Sequence, residues 1–393
     1  MNILKLLNRE SQLFEGDWCN RKEHLNEIFT GSRVLVVGGA GSIGSAVTSL
    51  LFEFEPAILD VVDLSENNLV ELVRGIRSKS SKTPTSFDTY AIDVGSMEFE
   101  HLVEKKGGYD YIFNLSALKH VRNEKDEFTL RRMLQVNVVN AVELARIGAR
   151  YEAQKYFCVS TDKAANPANL MGASKRIMEK YLMLSDNRQK TSFARFANVA
   201  FSDGSLLYGF NNRIRKRQPL SAPSDIRRFF ITDFEAASLC LFSAGFGQHL
   251  DIFFPKVSDA FCLQEFGEIA KNFLTEQGYY PLLVESEDDA RSKIMHADIT
   301  REWPLYLFES DTDGEKEYEE FFTDNEVVDD TKFQEISLIK NEPSNGAILD
   351  YEELKEILMS NSYISRQDLK ILIEKLVPEL SHNVTGKSLN ERM

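Results

Sequence analysis

A glycine-rich turn between a β-branched run and an amphipathic segment constrains this chain more than any other feature. The run Arg33–Val37 is typical of a buried parallel strand, and residues 45–54 have the apolar spacing of a helix. Between them, Gly38, Gly41 and Gly44 form a GxxGxxG pattern. Glycines at such a turn permit a tight bend and let backbone N–H groups approach a phosphate. The sequence therefore predicts a βαβ unit that binds a dinucleotide.

Strand-like runs and helix-like segments go on alternating to about residue 200. This spacing favours a doubly wound parallel sheet. The later predicted strands are Ile58–Asp63, a run that ends at Asp93, and residues 109–115, 155–160 and 192–199; the predicted helices are 66–76, 130–146 and 172–185. We expect an α/β fold: a Rossmann-like doubly wound parallel sheet with a smaller mixed substrate-binding lobe and a C-terminal helical extension.

The chain is expected to divide into four parts. They are a helical lead-in (1–30), a dinucleotide-binding domain (31–200), a mainly substrate-binding lobe (201–329) and a C-terminal extension (330–393). In that extension, amphipathic patterns predict two short helices at 351–359 and 366–376.

Composition excludes several classes of function. The 393 residues carry a formal net charge of −15, which argues against a chain that holds nucleic acid by general electrostatics. No uncharged apolar run reaches about 18 residues, so we expect no membrane span. Four cysteines lie far apart without CxxC spacing, which favours reduced thiols in a cytoplasm over disulfides or a zinc site. The expected localisation is cytoplasmic, with no bound metal.

Residues within the glycine pattern and acidic residues at the ends of predicted strands are candidates for the rest of the cofactor site. Ser42 and Ile43, within the glycine pattern, are expected to face the pyrophosphate. Asp63 ends the second predicted strand, where its carboxylate can accept hydrogen bonds from the adenosine ribose. It favours NAD, because the 2′-phosphate of NADP would face a like charge, although NADP stays open. Asp93, followed by Val94, either reaches the adenine or caps a turn.

A second set of chemical groups follows the predicted strand at 155–160. Thr161, Asp162 and Lys163 come directly after it. Met171 and Lys175 open the next helix, four residues apart and hence on one face. Hydroxyl, acid and base side chains thus converge where a nicotinamide and a sugar could meet. The alternative is a capped helix start with solvated charges.

These motifs resemble those of the extended short-chain dehydrogenase/reductases, specifically the polysaccharide-biosynthesis branch of nucleotide-sugar 4,6-dehydratases. The resemblance covers roughly residues 31–325. Besides the glycine turn, it rests on residues 114–121 (similar to the family's HAAALKHV), Asn137, and residues 160–167, 171–176, 195–199, 225–230 and 314–320.

Two residues depart from the family pattern. Val37 replaces the usual threonine before the glycines, and Met171 stands where most of the superfamily has the tyrosine base. A thioether cannot carry a proton, so the usual Tyr–Lys oxidation is not available. The same replacement is characteristic of the large, usually membrane-anchored dehydratases that retain configuration at sugar C5. The chain looks like a soluble relative of that branch.

The resemblance implies NAD-dependent 4,6-dehydration of a nucleotide-activated N-acetylhexosamine for surface glycan synthesis. UDP-N-acetylglucosamine is the expected substrate and a 4-keto-6-deoxy sugar the product. Asp162 is expected to be the acid at the C6 hydroxyl and Lys163 the C5 base. Lys163 must then be neutral, which burial beside a cationic Lys175 would promote. Either Asp162, or Thr161 with a water relayed to Lys175, is expected to take the C4 hydroxyl proton.

The resemblance also assigns binding residues. Lys175, Ser116 and Ala117 are expected to contact the cofactor, and Asn137 to bridge backbone beside it. The expected substrate contacts are Lys119 and His120 to the sugar or phosphates, and Asn198 and Arg228 to the nucleotide diphosphate. For His120, a structural histidine is the alternative. Residues 213–217 either assist or form a solvated basic face, and residues 315–320 are expected to be structural or interfacial. Family members are commonly homo-oligomers, which we expect here.

Three other functions stay open. A nucleotide-sugar C4 epimerase shares the fold, cofactor and first step, but needs no C6 acid or C5 base. A GDP-N-acetylglucosamine 4,6-dehydratase differs only in the nucleotide. A catalytically silent cofactor-binding scaffold would explain the missing tyrosine.

Overall fold

The main sheet of the protein contains nine strands within the residues that the computed structural model describes. Those residues are 2–82, 84–184, 189–296, 301–310, 316–342 and 349–381. The strands of the whole structure are β1 (Arg33–Val37), β2 (Ile58–Asp63), β3 (Ser86–Ala91), β4 (Tyr111–Asn114), β5 (Lys155–Thr161), β6 (Lys190–Phe196), β7 (Asn198–Val199), β8 (Leu220–Pro223), β9 (Arg227–Arg228), β10 (Phe230–Ile231), β11 (Ile252–Pro255), β12 (Gln264–Glu265), β13 (Tyr280–Val284), β14 (Glu302–Phe308), β15 (Val327–Asp329) and β16 (Ile336–Lys340).

Helices connect most of these strands. They are α1 (Ile3–Leu6), α2 (Glu15–Phe29), α3 (Ser42–Glu53), α4 (Glu66–Lys79), α5 (Met97–Lys106), α6 (Glu127–Leu134), α7 (Asn140–Arg150), α8 (Leu170–Leu184), α9 (Leu206–Arg215), α10 (Asp233–Phe246), α11 (Phe266–Glu276), α12 (Glu287–His296), α13 (Tyr351–Met359) and α14 (Arg366–Leu376).

The strand order of the main sheet is β15-β16-β11-β6-β5-β4-β1-β2-β3. All pairs from β3 to β11 are parallel, whereas β16 and β15 add to the edge in antiparallel pairing. Helices α2, α3 and α10 pack together on one face, and α6, α7 and α8 pack on the other. The predicted doubly wound α/β fold is confirmed.

The register of the central strands sets the position of the site. Val37 at the end of β1 lies opposite Asn114 at the end of β4, and Asn114 lies opposite Cys158 on β5. The glycine turn and the segments after β4 and β5 therefore leave the sheet at one edge. Carboxyl edges of parallel sheets are where ligands bind in such folds.

A smaller lobe has its own sheet and core. Its parallel strands run β13-β14-β8, and α1, α9 and α11 contribute side chains to an apolar cluster around Phe210, Phe273 and Trp303. The basic stretch 213–217 forms the end of α9 and the turn after it, and its last three residues are exposed. The exposed residues favour the solvated face that the sequence offered as one alternative, at a helix end that favours cations, and assistance to the substrate stays a prediction.

The predicted boundaries at residues 200 and 329 do not coincide with breaks in the main sheet. Helix α10 and strand β11 return from the lobe to the main sheet, and β15 and β16 extend it from residues 327–340. The lead-in also serves both parts, because α1 joins the core of the lobe while α2 packs on α10. Local periodicity indicates that a segment is a strand, but not which strand it pairs with.

The helix predicted at 130–146 is interrupted by a wider turn. Residues Gln135–Val139 form a π-helical turn between α6 and α7. Asn137 lies within this turn and points toward the segment after β4, where its side-chain amide forms hydrogen bonds with the backbone of Leu118. Such π-helical turns are rare in proteins, and those that occur often lie at functional sites.

The tail helices begin and end where the sequence predicts them. Helix α13 packs on the π-helical turn, and α14 packs on α6 and α8. Four of their buried side chains belong to the main hydrophobic core: Leu354, Leu358, Leu369 and Ile373. The tail is therefore part of the domain that holds the sheet.

Substitution of Ile373 tests whether the tail belongs to the cooperative core. Ile373 is 0% exposed, whereas Ile371 on the same helix is 53% exposed. We expect Ile373→Ala to lower the free energy of unfolding by about 2–5 kcal/mol, because it leaves a cavity. The matched change Ile371→Ala should stay within about 0.5 kcal/mol of the unmodified protein. Urea denaturation measures both, and equal effects would contradict the packing of α14.

Candidate active site

The glycine turn leaves the first N–H groups of α3 available to an anion. Gly41 caps α3 without a side-chain hydrogen bond. Gly38 has a φ of 72°, and a Cβ there would lie 2.7 Å from the backbone N of Ser116. A Cβ on Gly44 would lie 2.0 Å from the carbonyl oxygen of Gly38. The turn thus packs as tightly as glycine allows, and its geometry fits the pyrophosphate of a dinucleotide.

Asp63 ties the glycine turn to the end of β2. Its Oδ2 accepts a hydrogen bond from the N–H of Ala40 at 3.0 Å, and its Oδ1 accepts from that of Ser65 at 2.9 Å. Each carboxylate oxygen can accept a further hydrogen bond. The contact with a ribose, and the preference for NAD, stay predictions.

Asp93 caps a turn, which is one of the two alternatives that the sequence left open. Its Oδ1 accepts from the N–H of Gly95 at 2.9 Å, and Nη2 of Arg132 donates to its Oδ2 at 2.7 Å. Val94 is half-buried within this turn. Both oxygens are therefore engaged by the protein itself, and the adenine contact stays a prediction.

The other cofactor candidates border the turn. Ser116 donates from its Oγ to Oδ1 of Asn114 at 2.7 Å, and Ala117 follows it, half-buried. Ser42 accepts a hydrogen bond from the N–H of Asp203 at 2.9 Å, and Ile43 packs partly buried against the main core. This hydrogen bond joins the loop that contains Asp203 to the first residue of α3.

Asn137 bridges backbone, as the sequence predicts. Its Oδ1 accepts from the N–H of Leu118 at 2.9 Å, and its Nδ2 donates to the carbonyl oxygen of Leu118 at 3.0 Å. The same Nδ2 donates to Oγ of Ser174 on α8 at 2.9 Å. One side chain thus fixes the segment after β4 against the helix that carries Met171 and Lys175.

Asp162 collects three hydrogen bonds on one oxygen. Its Oδ1 accepts from Oγ1 of Thr161 at 2.8 Å, from the backbone N–H of Lys163 at 2.8 Å and from Nζ of Lys163 at 3.2 Å. Asp162 is only 3% exposed. The structure therefore brings the predicted hydroxyl, acid and amine together at the end of β5.

Glu319 is a functional candidate that the sequence reading missed. Its side chain is 4% exposed, and its Oε1 lies 3.6 Å from Nζ of Lys163 and 3.9 Å from Nη2 of Arg228. The acidic run at 315–320 was expected to be structural or interfacial, yet this member reaches Lys163 in the segment after β5. Its place in the family motif at 314–320 was the available signal; Gly314 and Glu315 of that motif lie outside the described residues.

The expectation that Lys163 is neutral is wrong for this arrangement. Burial lowers the pKa of Lys163, but the charges of Asp162 and Glu319 outweigh burial and the opposing Arg228, so that the pKa is raised. The prediction failed because it placed a cationic Lys175 beside this amine and did not include Glu319. Lys163 is an ammonium ion between two carboxylates.

Lys175 has the lowered pKa instead. Burial is the main cause, and the charges of Cys158 and Glu179 oppose it only partly. Its Nζ donates to the carbonyl oxygen of Val159 on β5 at 3.2 Å. Of the two lysines, Lys175 is therefore the one that more readily loses its proton and becomes a neutral amine.

Met171 is the second residue of α8 and is buried. Its N–H donates to Oε1 of Glu124 at 2.8 Å, so its backbone fixes the start of the helix. The side chain has no acid–base chemistry to offer. Whatever removes the proton from a substrate hydroxyl here must be another residue.

Among the predicted substrate residues, Arg228 has an evident structural task. Its Nη1 donates to the carbonyl oxygens of Arg227, Lys316 and Glu317 at 2.8, 2.9 and 3.0 Å, which holds the segment that carries Glu319. Asn198 begins β7 and is half-buried. Contacts of both with a diphosphate stay predictions.

Lys119 and His120 face the loop of the smaller lobe at 201–204. Nζ of Lys119 donates to Oγ of Ser202 at 3.3 Å. The ring of His120 packs so closely on Gly204 that a Cβ there would come within 2.7 Å of it. This packing favours the structural alternative for His120.

A protein-family model matches most of the chain. Residues 34–341 match the model described as "Polysaccharide biosynthesis protein". The chain is 27% identical over 334 residues to the probable polysaccharide biosynthesis protein EpsC of Bacillus subtilis, covering 83% of this chain and 52% of EpsC. It thus spans about half of the length of that relative.

Other relatives match along nearly their whole length. A UDP-glucose 4-epimerase of Rickettsia canadensis is 29% identical over 360 residues, covering 86% of this chain and 99% of that protein. The uncharacterized membrane protein MJ1061 of Methanocaldococcus jannaschii is 26% identical over 363 residues, with coverages of 87% and 99%. Within the described part of this chain, no helix is long and apolar enough to cross a bilayer.

Solved structures share the fold. Pen from Bacillus thuringiensis superposes with a TM-score of 0.64 at 20% identity, covering 88% of this chain and 98% of Pen. The UDP-glucose 4-epimerase of Thermotoga maritima, solved with UDP-glucose, gives 0.55 at 18% identity, with coverages of 88% and 98%. The Bordetella bronchiseptica enzyme WbmG, solved with NAD, gives 0.51 at 18%, with coverages of 67% and 84%. At these identities the likeness shows the fold alone.

The glycine turn can be tested without any substrate. We expect Gly44→Ala to raise the Kd for NAD about tenfold or more, equivalent to about 1.4 kcal/mol, because the added Cβ displaces the turn. Gly75→Ala in α4 is the matched control, since a Cβ there meets nothing within 4 Å. Isothermal titration calorimetry measures both, and circular dichroism verifies folding. Unchanged NAD affinity in Gly44→Ala would contradict the assignment of the turn.

Proposed function

Because the chain belongs to the polysaccharide biosynthesis protein family, we propose that it removes water across C5 and C6 of a nucleotide-activated N-acetylhexosamine. The proposed substrate is UDP-N-acetylglucosamine, and the product is its 4-keto-6-deoxy derivative. The observation that carries this proposal is the buried pairing of Asp162 with Lys163 at the sheet edge that also carries the glycine turn. A carboxylate and an ammonium ion side by side are what a water elimination needs.

The chemistry assigns separate tasks to the cofactor and the protein. NAD, once bound, supplies the oxidation at C4 and the later return of hydride to C6. A C4 ketone makes the proton on C5 acidic, so elimination needs only a base at C5 and an acid at the C6 hydroxyl. Asp162 and Lys163 supply both groups within 3.2 Å of each other.

The absence of the tyrosine leaves the C4 hydroxyl proton to another group. Lys175 is suited to accept it, through Thr161 and a water, because burial lowers the pKa of Lys175 and so favours the neutral amine that can act as a base. The hydrogen bond from Thr161 to Asp162 orients that hydroxyl beside the same site. Asp162 then stays ionised for the elimination.

The cofactor and partner assignments are part of the same proposal. Asp63, at the end of β2 and bonded to the glycine turn, supports NAD over NADP. Asn198 and Arg228 are the proposed contacts with the nucleotide diphosphate, and Lys119 is a proposed contact with the sugar or phosphates. A homo-oligomer, which the family resemblance implies, stays a prediction.

A C4 epimerase is the second candidate. It is favoured by the rickettsial relative of that name, which matches this chain over 99% of its own length. An epimerase would invert C4 and keep the C6 hydroxyl, so it would give the buried Asp162–Lys163 pair no chemical task. The pair therefore favours the dehydratase.

Substitution of the pair tests the function directly. With UDP-N-acetylglucosamine, we expect a new C6 methyl signal in the proton NMR spectrum. Asp162→Asn and Lys163→Ala should each lower this turnover by about 10²-fold or more, because each removes a proton-transfer group. Both variants should still bind NAD, which calorimetry verifies. Near-unmodified turnover in both would contradict the assignment, and an inverted C4 without a methyl signal would establish the epimerase.

A further inference from the structure

Lys163 lies between carboxylates that come from two different parts of the chain. Its Nζ is 3.2 Å from Oδ1 of Asp162, the preceding residue, and 3.6 Å from Oε1 of Glu319. The Lys163 side chain is 17% exposed, so the cluster is largely shielded from water. At these distances and in this burial, the charge of each carboxylate acts strongly on the amine.

The segment that carries Glu319 is fixed on both sides. Arg228 donates to the carbonyl oxygens of Lys316 and Glu317, and Arg195 donates to that of Phe321 at 2.8 Å. Glu319 is thus placed beside Lys163 by buried hydrogen bonds of its own backbone segment. A buried carboxylate is costly unless it is paired, so this placement needs the partner that it finds.

The charged groups that act most strongly on Lys163 in the described structure are Asp162, Glu319 and Arg228. The two carboxylates outweigh burial and the guanidinium, which leaves Lys163 protonated. Among the described residues, the donors to Asp162 all reach its Oδ1. Oδ2 of Asp162 is therefore available to a substrate.

This inference rests on the proposed dehydration. We propose that Glu319 is a positioning residue that keeps Lys163 an ammonium ion, so that Lys163 protonates the departing C6 hydroxyl while the Asp162 carboxylate takes the C5 proton. These roles are the reverse of those that the family resemblance implied. Glu319 acts on the reaction only through Lys163.

The elimination balances with these groups alone. In the 4-keto sugar, the C5–H bond breaks and its proton goes to Asp162. The electron pair of that bond forms the C5=C6 double bond as the C6–O bond breaks. A proton from Lys163 goes to the departing oxygen, and water leaves. The step leaves Asp162 neutral and Lys163 an amine, and no electrons pass to or from the cofactor.

Glu319→Gln tests the inference with a readout that needs no turnover. In protein labelled with ¹³C at the lysine side chains, Lys163→Arg identifies the Lys163 signal, whose titration gives the pKa. We expect Glu319→Gln to lower that pKa by roughly 1–3 units, because an opposite charge within about 4–6 Å is lost. Glu320→Gln is the matched control: this neighbour is 46% exposed and bonds Asn166 instead.

The pH dependence of turnover then tests whether Lys163 donates the proton to the departing C6 hydroxyl. The alkaline limb of the kcat profile for methyl formation should move to lower pH by the same amount in Glu319→Gln, because the acid is lost earlier. Glu319→Asp should restore most of the shift, and Glu320→Gln should show none.

Each other outcome overturns the inference. An unchanged Lys163 pKa removes its electrostatic basis. A kcat that falls equally at all pH values shows a merely structural role. Faster turnover near neutral pH, with the acidic limb moved down, shows that Lys163 is the base. A lowered Lys163 pKa in a protein that never forms the 6-deoxy product contradicts the proposed function, and the acid role of Lys163 with it.

Discussion

Arg195 is the residue that holds together the two chain segments of the candidate active site. It is fully buried on β6, and it bonds Glu179 on α8 through two hydrogen bonds of 3.0 and 2.8 Å. Two more, both 2.8 Å, reach Glu326 before β15. Burial alone would raise the pKa of Glu179, but Arg195 and Arg176 lower it to about 2. The buried charges of Arg195 and Glu179 are thus paired, as buried charges must be.

This buried cluster extends to both sides of the site. Glu179 also accepts a hydrogen bond from Oγ of Ser160 at 2.6 Å, one residue before Thr161. On the other side, Arg195 bonds the carbonyl oxygen of Phe321, two residues after Glu319. The end of β5 and the segment that carries Glu319 are therefore positioned by one guanidinium. Preorganisation of this kind is what proton transfer at fixed atoms requires.

The parts of this structure that were predictable depend on neighbours in the sequence. The strand Arg33–Val37, the glycine turn and the helices at 351–359 and 366–376 follow from local periodicity and turn chemistry. Asp162 and Lys163 were identified because they are adjacent in the chain. The membership of β11, β15 and β16 in the main sheet was not predictable, because strand pairing is decided between distant segments.

The same limit explains why the charge state that the sequence predicted for Lys163 was wrong. The sequence placed Lys163 and Lys175 near each other, and from those two residues alone a lowered pKa of Lys163 follows. The charges of Glu319 and Asp162 reverse the direction of the pKa shift, and Glu319 comes from a segment far from Lys163 in the sequence. Asp93 is a milder case, since its role as a turn cap depends on Arg132 of α6. In both, the sequence supplied the residue, and a partner distant in the chain decided its chemistry.

The central claim is that the Asp162–Lys163 pair faces C5 and C6 of a hexose beside the nicotinamide. A crystal structure with NAD and UDP-N-acetylglucosamine measures this most directly. We expect the C6 hydroxyl within hydrogen-bond distance of Nζ of Lys163, about 2.7–3.2 Å, and C5 next to the Asp162 carboxylate. A hexose bound with C5 and C6 turned away from both side chains would contradict it.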